Sequence, residues 1–298
     1  MSVHSLASPP TSPIFSAHAP ARTSDQPSPL AQAKIHLAAA HRLAVLHALE
    51  EGIDNHFTVA VPGHDDQFMI LPFGLHWSEA RASDMMVFNE AGHTLAGTGV
   101  VELSARCIHA PIHRITGARV VLHTHQTWAI ALNMLQDNRL LPTSQTAAFF
   151  HGHVAYDDDY TGLADSTDEG ERLARVISGK GGEHTMGAAT AGATGGAMGG
   201  GTELQPEKYV VFMKNHGVVV TGDTVAQAYR RLYKLERVCR NQMLAMSTGQ
   251  PLSVLSDEVA ARVQAYNPLD LHPREERERL YFDAMMRVLD RELPGYAQ

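Results

Sequence analysis

The order of short apolar runs and longer helical segments constrains the fold of this chain more than any other feature. Five runs rich in β-branched and aromatic residues predict strands, and helical segments lie between them without a strict βαβ alternation. We therefore expect an α/β sandwich with a mixed or antiparallel sheet. The predicted strands are Phe57–Val61, Phe68–Leu71, Arg119–His123, Tyr209–Met213 and Val218–Thr221.

Helices are predicted where helix formers are dense or apolar residues recur at helical spacing. The longest of them follows Asp223 or Thr224, residue types that cap helix N-termini. The predicted helices are Ala31–Leu49, Glu102–Ile115, Trp128–Leu135, a long helix from the cap to about Met246, and Glu275–Glu292.

The chain has 298 residues, which allows one or two domains. Residues 1–30 are rich in Ser, Pro and Ala and lack apolar periodicity, so they predict a disordered tail. Residues 31–298 are predicted to form one domain. Within it, residues 179–201 hold 10 of the 24 glycines and predict a flexible surface insertion.

Composition argues against several classes of function. The formal net charge of -8 argues against nucleic-acid binding, since nucleic-acid binders carry a clustered basic face. No run approaches the roughly 18 apolar residues that span a bilayer, so no membrane association is expected. The two cysteines cannot form a disulfide framework, which favours a cytoplasmic protein. A small molecule is the expected partner.

Three histidines predict a metal site. His123 and His125 lie at the end of a predicted strand, and residues i and i+2 of an extended chain point to the same face. His216 lies in a tight turn between two buried runs, where an unpaired ring nitrogen would cost about 1–3 kcal/mol. Three histidines with an open position are typical of a catalytic divalent site. A packed or partly exposed role is the alternative for each ring taken alone.

A proton-transfer group is needed beside such a site, and Glu102 is the candidate. Acidic residues also favour the first turn of any helix, so spacing alone leaves this second interpretation open. His109 and His113 follow on the same predicted helix, where a packed or solvated role is favoured. His151 and His153 precede an acidic loop, Tyr156–Tyr160, and a substrate role is the alternative to packing there.

The chain resembles the class II aldolase/adducin family over about residues 31–246. The motifs that carry the resemblance occur in the family's order. They are Asp54–Phe57, Ile70–Gly74, Ser78–Asp84, Glu102, Val120–His125 and Lys214–Gly217.

The resemblance implies a three-layer α/β/α sandwich around a mainly antiparallel sheet, assembled as a homotetramer. It implies that His123, His125 and His216 bind one divalent ion per chain, with zinc expected and manganese or iron(II) as alternatives. Glu102 would act as general acid/base. Asn55 would line the substrate pocket.

This sequence departs from the sugar-phosphate aldolases where they bind phosphate. Asp54 replaces a glycine, Phe73 replaces a threonine before Gly74, and Val100-Val101 replaces a pair of serines. Apolar groups and a carboxylate there disfavour an anion. The segment around Phe73 and Gly74 is similar to the adducin-type branch, and we expect both residues to contact a non-phosphorylated substrate.

The predicted function is therefore that of a metal-dependent lyase. Retro-aldol cleavage and decarboxylation have a common mechanism, in which a metal stabilises an enolate. The expected substrate is a hydroxy-carbonyl compound or an aromatic acid. The alternatives are an iron(II)-dependent oxygenase on the same three histidines and a non-catalytic adducin-like scaffold. The presence of all three histidines and Glu102 argues against the scaffold.

Overall fold

The computed structural model describes residues 27–160, 162, 165–179, 207–265 and 273–298. Its strands in chain order are β1 His56–Ala60, β2 Gln67–Ile70, β3 Met86–Asn89, β4 Thr94–Ala96, β5 Val120–Thr124, β6 Val154–Asp157, β7 Val210–Met213 and β8 Val218–Gly222.

Its α-helices are α1 Pro29–Leu46, α2 Leu103–Thr116, α3 Thr127–Asn133, α4 Gln145–Ala148, α5 Thr167–Ile177, α6 Val225–Met246, α7 Asp257–Ala265 and α8 Arg274–Glu292. Local chemistry fixes where two of them begin. The Thr224 hydroxyl accepts the Gln227 N–H at the start of α6, and the Ser28 hydroxyl accepts the Ala31 N–H at the start of α1.

The eight strands form one sheet in the order β4-β3-β2-β1-β5-β8-β7-β6. Every neighbouring pair is antiparallel except β6 and β7, which are parallel. A parallel pair needs a long crossover, and α5 lies within it. His123 on β5 is opposite His56 on β1 and Val219 on β8, which places it at the centre of the sheet.

Helices cover both faces of the sheet. Val120 and Leu122 pack with residues of α1, α6 and α8 on one face, whereas Val121 packs with α2 and α5 on the other. This alternation is the two-residue period of a strand, and it gives His123 the same face as Val121. The candidate site therefore lies on the face covered by α2 and α5.

The architecture confirms the predicted α/β fold with a mainly antiparallel sheet between two helical layers. The five predicted strands and five predicted helices are present with small shifts at their ends. The tail boundary was wrong by two residues, because the Ser28 cap starts α1 at Pro29 rather than after residue 30. Residues 1–26 of the predicted tail and 180–201 of the predicted insertion lie outside the described residues. Among the described helices, none combines the length and the apolar character needed to cross a membrane.

Candidate active site

Three histidines meet at the centre of the sheet. His123 is on β5, His125 follows that strand, and His216 lies in the turn between β7 and β8. One ring nitrogen of each lies within 4.8 Å of the other two, and the Nε2 atoms of His123 and His125 are 3.1 Å apart. The structure thus brings together the three residues that the sequence proposed as metal ligands.

Outer hydrogen bonds fix the tautomers of two of these rings. The Nδ1–H of His123 donates to the Val218 carbonyl at 3.1 Å, and the Nδ1–H of His125 donates to the Glu51 carboxylate at 2.6 Å. Carbonyl and carboxylate oxygens only accept, so both Nε2 atoms carry lone pairs. Two lone pairs that face each other at 3.1 Å repel unless a cation lies between them.

The turn that carries His216 depends on its neighbours in the sequence. Asn215 has a φ of 58°, in the left-handed region that asparagine tolerates better than most residues. A Cβ at Gly217 would lie 2.6 Å from the Thr124 carbonyl oxygen and 2.9 Å from the His125 ring. Glycine is therefore required for the turn to pass this close to the other two histidines.

His216 itself has an unused nitrogen. Its Nδ1 is buried without a hydrogen-bond partner among the described residues, and the Glu169 carboxylate of α5 lies 3.9 Å away. Glu169 is also buried. A carboxylate often orients a metal-binding ring by accepting its outer N–H, but this distance is too long for a hydrogen bond.

The electrostatics fit a divalent cation. Burial, followed by the neighbouring rings His56 and His216, lowers the pKa of His123 well below its ordinary value. Burial also lowers the pKa of His125, although the Glu51 carboxylate opposes this shift. A histidine ring must be neutral in order to bind a metal ion. The converging lone pairs, the neutral rings of His123 and His125 and the Glu51 carboxylate that orients His125 suit zinc, manganese or iron(II).

Glu102 lies at the start of α2 and lines the same cavity as the three histidines. It is the N-cap residue, yet its side chain makes no capping hydrogen bond. Instead its Oε1 accepts the Ser104 hydroxyl at 2.7 Å. Burial raises the pKa of Glu102, the Ser104 hydrogen bond lowers it, and the charge of Asp54 raises it. The net rise brings the pKa of Glu102 closer to neutral pH, where a general acid/base works best.

The cavity around these groups has a volume of about 820 Å³, within the range of small-molecule sites. Its described lining includes four carboxylates and neither lysine nor arginine. The carboxylates belong to Glu51, Asp54, Glu102 and Asp165. The apolar residues of its lining are Leu103, Ile108, Ile130, Met134 and Tyr160.

The three predicted substrate contacts lie beside this cavity rather than in it. Asn55, Phe73 and Gly74 line a smaller recess that shares only His56 and Glu102 with the main cavity. The Oδ1 of Asn55 accepts the backbone N–H groups of Glu51 and His125, so this amide holds the Glu51 loop against the segment that carries His125. Their contact with substrate stays a prediction.

A second group of histidines is buried behind the first. The Nδ1–H of His113 donates to the Ala118 carbonyl at 2.6 Å, so its Nε2 accepts the Thr58 hydroxyl at 2.8 Å. The same Thr58 oxygen accepts the Nδ1–H of His109 at 2.6 Å. The Nε2 of His109 in turn accepts the Nδ1–H of His56 at 2.8 Å. One carbonyl oxygen thereby fixes the direction of every hydrogen bond in this histidine chain.

The histidine chain reaches the candidate active site. The Nε2 of His56 is left as an acceptor 3.3 Å from the Ser104 oxygen, and the His56 ring centroid is 4.8 Å from that of His123. Ser104 has one proton and two acceptors, His56 and Glu102. The packed role that the sequence favoured for His109 and His113 is confirmed.

Sequence reasoning missed four residues of this site: Glu51, His56, Ser104 and Glu169. Ser104 could have been suspected from its position two residues after Glu102. Glu169 offers no local signal, because α5 reaches His216 only through the tertiary fold. His153, considered as a substrate contact, instead bonds to the Glu207 carbonyl and stacks on Tyr209, away from the cavity.

Comparison with solved structures finds the same fold. An aldolase II superfamily protein from Pseudomonas syringae superposes with a TM-score of 0.74 at 29% sequence identity, covering 92% of this chain and 98% of that one.

Two relatives from Streptomyces have activities in their names. Decarboxylase NovR of Streptomyces niveus is 28% identical over 76% of this chain and 73% of its own length. The 4-hydroxy-3-prenylphenylpyruvate oxygenase/4-hydroxy-3-prenylbenzoate synthase of Streptomyces roseochromogenus subsp. oscitans is 28% identical over 72% of this chain and 68% of its own length.

The family model of the class II aldolase and adducin N-terminal domain matches residues 35–243, which include the three histidines and Glu102. This match covers most of the chain. The chain belongs to the class II aldolase and adducin family.

Proposed function

We propose that this chain is a divalent-metal-dependent lyase that cleaves a carbon–carbon bond of a non-phosphorylated substrate, by retro-aldol cleavage or decarboxylation. The main support is that the Nε2 lone pairs of His123 and His125 and a third imidazole converge in one cavity with Glu102. A divalent ion held by His123, His125 and His216 supplies Lewis-acid stabilisation of the negative charge that develops when the bond breaks.

The residues of the chain have separate tasks in this proposal. Glu51 and the Val218 carbonyl hold two rings in the metal-binding tautomer. Glu102 exchanges the proton. Its Oε1 is held by Ser104, whereas its Oε2 accepts no hydrogen bond from any described residue and is free to exchange a proton with substrate.

The cavity lining supports a substrate without phosphate. A phosphate group carries a charge of about -1.5 to -2 and would meet four carboxylates without a lysine or arginine among the described lining residues. A hydroxy-carbonyl compound or an aromatic acid has at most one carboxylate and can place apolar surface against Leu103, Ile130 and Met134. The sequence suggested Phe73 and Val101 as the apolar surface for the substrate. In this cavity Leu103, Ile130 and Met134 provide that surface instead.

Iron(II)-dependent oxygenation is the second candidate. It is favoured by similarity to the Streptomyces roseochromogenus relative, whose name includes an oxygenase activity. Three neutral imidazoles can also hold iron(II). The two candidates differ in one requirement, since lyase turnover proceeds without dioxygen.

The test is metal analysis of the purified chain followed by assays with and without oxygen. Hydroxy-carbonyl compounds, hydroxy acids and aromatic acids are compared with phosphorylated ketoses. We expect one divalent ion per chain and anaerobic turnover of a non-phosphorylated compound. Turnover only in oxygen would favour the oxygenase, and a metal-free, inactive protein would favour the scaffold.

Two further outcomes bear on the proposal. A kcat/KM above about 10⁴ M⁻¹s⁻¹ with a sugar phosphate would contradict the substrate class. The proposal includes the homotetramer that family resemblance implies, and sedimentation velocity of the purified chain tests it.

A further inference from the structure

A recess far from the metal cavity is lined by five cationic side chains. Arg230, Arg231 and Lys234 come from α6, whereas Arg274 and Arg277 come from α8. Glu278, which is buried, is the only carboxylate among the described lining residues. Helix α6 packs on the sheet face opposite the three histidines, so the recess is separate from the candidate active site.

Two arginines of the recess each have a buried donor without an acceptor among the described residues, whereas the Nε of Arg274 lies 3.9 Å from the Glu278 carboxylate. The Nε atoms of Arg230 and Arg277 are buried without a hydrogen-bond partner in the described part of the chain. Arg231 shows the contrast, because its Nη1 donates to the Thr221 carbonyl and its guanidinium lies 3.9 Å from the centre of the Tyr209 ring. Buried donors without acceptors are rare in folded proteins and call for an explanation, such as a bound ion.

The charges of the recess also oppose one another. Burial and the nearby charges of Arg230 and Arg277 lower the pKa of Lys234 to about 8. Burial and the charges of Arg277 and Arg274 lower the pKa of Arg230, and the single carboxylate of Glu278 opposes this shift only in part. A chain with a net charge of -8 thus concentrates five cations at one place with little internal compensation.

We propose that this recess is a binding site for a phosphate group on a small molecule. Guanidinium groups match phosphate oxygens through paired N–H donors, and lysine adds a point charge. Two guanidinium groups and one ammonium from two helices can surround a tetrahedral anion on several sides. Phe149 also lines the recess, and the rest of the molecule can lie against its ring.

The two cavities of this chain therefore select opposite charges. The metal cavity has four carboxylates and no described lysine or arginine, whereas the recess between α6 and α8 has five cations and one carboxylate. A phosphorylated compound binds at the recess and is disfavoured at the metal cavity. The phosphate is thus a ligand of a second site rather than part of the proposed substrate.

Calorimetric titration of the full-length, metal-containing protein with inorganic phosphate and with pyrophosphate tests this inference. Ionic strength is held constant with sodium chloride. The variant is Arg230→Gln combined with Arg277→Gln. Its matched control is Arg237→Gln combined with Arg240→Gln, which removes the same charge from surface positions outside the recess.

We expect saturable binding to wild type and control, with pyrophosphate tighter than phosphate, and at least a tenfold loss of affinity in the recess variant. The single variant Lys234→Gln, expected to weaken binding at least threefold, replaces the double variant if circular dichroism shows that the latter is unfolded. Undetectable binding of both anions to wild type, or equal affinity in wild type and the recess variants, would overturn the inference. Equal affinity would mean that the anion binds elsewhere, such as at the metal.

Discussion

Two groups of three histidines lie next to each other on one face of the sheet, and they differ in how their nitrogens are used. In the histidine chain, His56, His109 and His113 use their ring nitrogens in hydrogen bonds that run from the Ala118 carbonyl toward Ser104. In the metal-site group, the Nε2 atoms of His123 and His125 face each other without a donor between them. The His216 ring centroid lies 4.9 Å from that of His123 and 5.0 Å from that of His125, and its outer Nδ1 has no hydrogen-bond partner among the described residues.

The difference teaches that an imidazole's surroundings, rather than its type or spacing, decide what it does. His109 and His113 are four residues apart on one helix, a spacing that could also present two metal ligands on one face. Thr58 lies between them and satisfies one nitrogen of each ring. No such hydroxyl lies between His123 and His125, so their lone pairs remain available for a cation.

The largest effect is expected from His216→Ala, which removes one ligand from the metal-site group. Metal content should fall from one ion per chain to near zero, and turnover should fall to background, while the thermal unfolding of the metal-free protein changes little. Mass spectrometry of the bound metal and circular dichroism measure the two effects. His93→Ala, at an exposed histidine, is the control. Full metal occupancy in His216→Ala would contradict the assignment of His216 as a metal ligand.

A smaller loss is expected from Glu102→Gln, which keeps the shape of the side chain but removes the exchangeable proton. Turnover should fall by about 10²–10⁴-fold, the usual contribution of a general acid/base, with metal content unchanged. Steady-state kinetics together with metal analysis separates this effect from ligand loss. Glu258→Gln, on an exposed face of α7, should behave as wild type. Normal turnover in Glu102→Gln would leave Glu102 only a residue at the helix start.

The histidine chain predicts acid sensitivity. Burial lowers the pKa of His113 from 6.5 to about 4, so the unfolded state binds a proton that the folded state does not bind between these pH values. The stability that His113 contributes is complete above pH 6.5 and is lost as pH falls to about 4, a difference of about 3 kcal/mol.

Urea unfolding of wild type and His113→Phe at several pH values measures this contribution. We expect the variant to be less stable at pH 7, since Thr58 loses an acceptor, but to show a shallower decline from pH 6.5 to 4. His93→Phe should retain the wild-type slope. Parallel slopes for His113→Phe and wild type would mean that His113 is protonated in the folded state.

The smallest effect is expected at Ser104, which contacts His56 of the histidine chain and Glu102 of the candidate active site. Its hydroxyl donates to Glu102 and stabilises the carboxylate, so Ser104→Ala should raise the pKa of Glu102. The limb of the pH–rate profile that Glu102 sets should move to higher pH, with a loss of less than about tenfold in turnover. Ser104→Thr keeps the hydroxyl and should restore the wild-type profile. An unchanged pH–rate profile in Ser104→Ala would mean that the histidine chain does not affect catalysis through Ser104.

Much of the fold could be predicted because local patterns carry it. The run Val120-Val121-Leu122 predicted a buried strand, and Asp223 or Thr224 predicted the start of α6, where the structure has Thr224 as the cap. Strand β6 was missed, and part of it was assigned to an acidic loop, because aspartate is more typical of loops than of strands. In the structure Arg172 of α5 neutralises that carboxylate at 2.9 Å, a contact that the sequence does not reveal.

The three candidate ligands and Glu102 could be named from the sequence, because strand periodicity, the Asn-His-Gly turn and the order of family motifs are local or ordered along the chain. Their hydrogen-bond partners became apparent in the folded structure. Glu51 meets His125 across 74 residues, and Ser104 meets His56 across 48. Periodicity tells which face of an element a side chain occupies, but not which distant element packs against that face. The outer hydrogen bonds, the buried histidine chain and the cationic recess all arise from such packing, and so they were visible only in the folded chain.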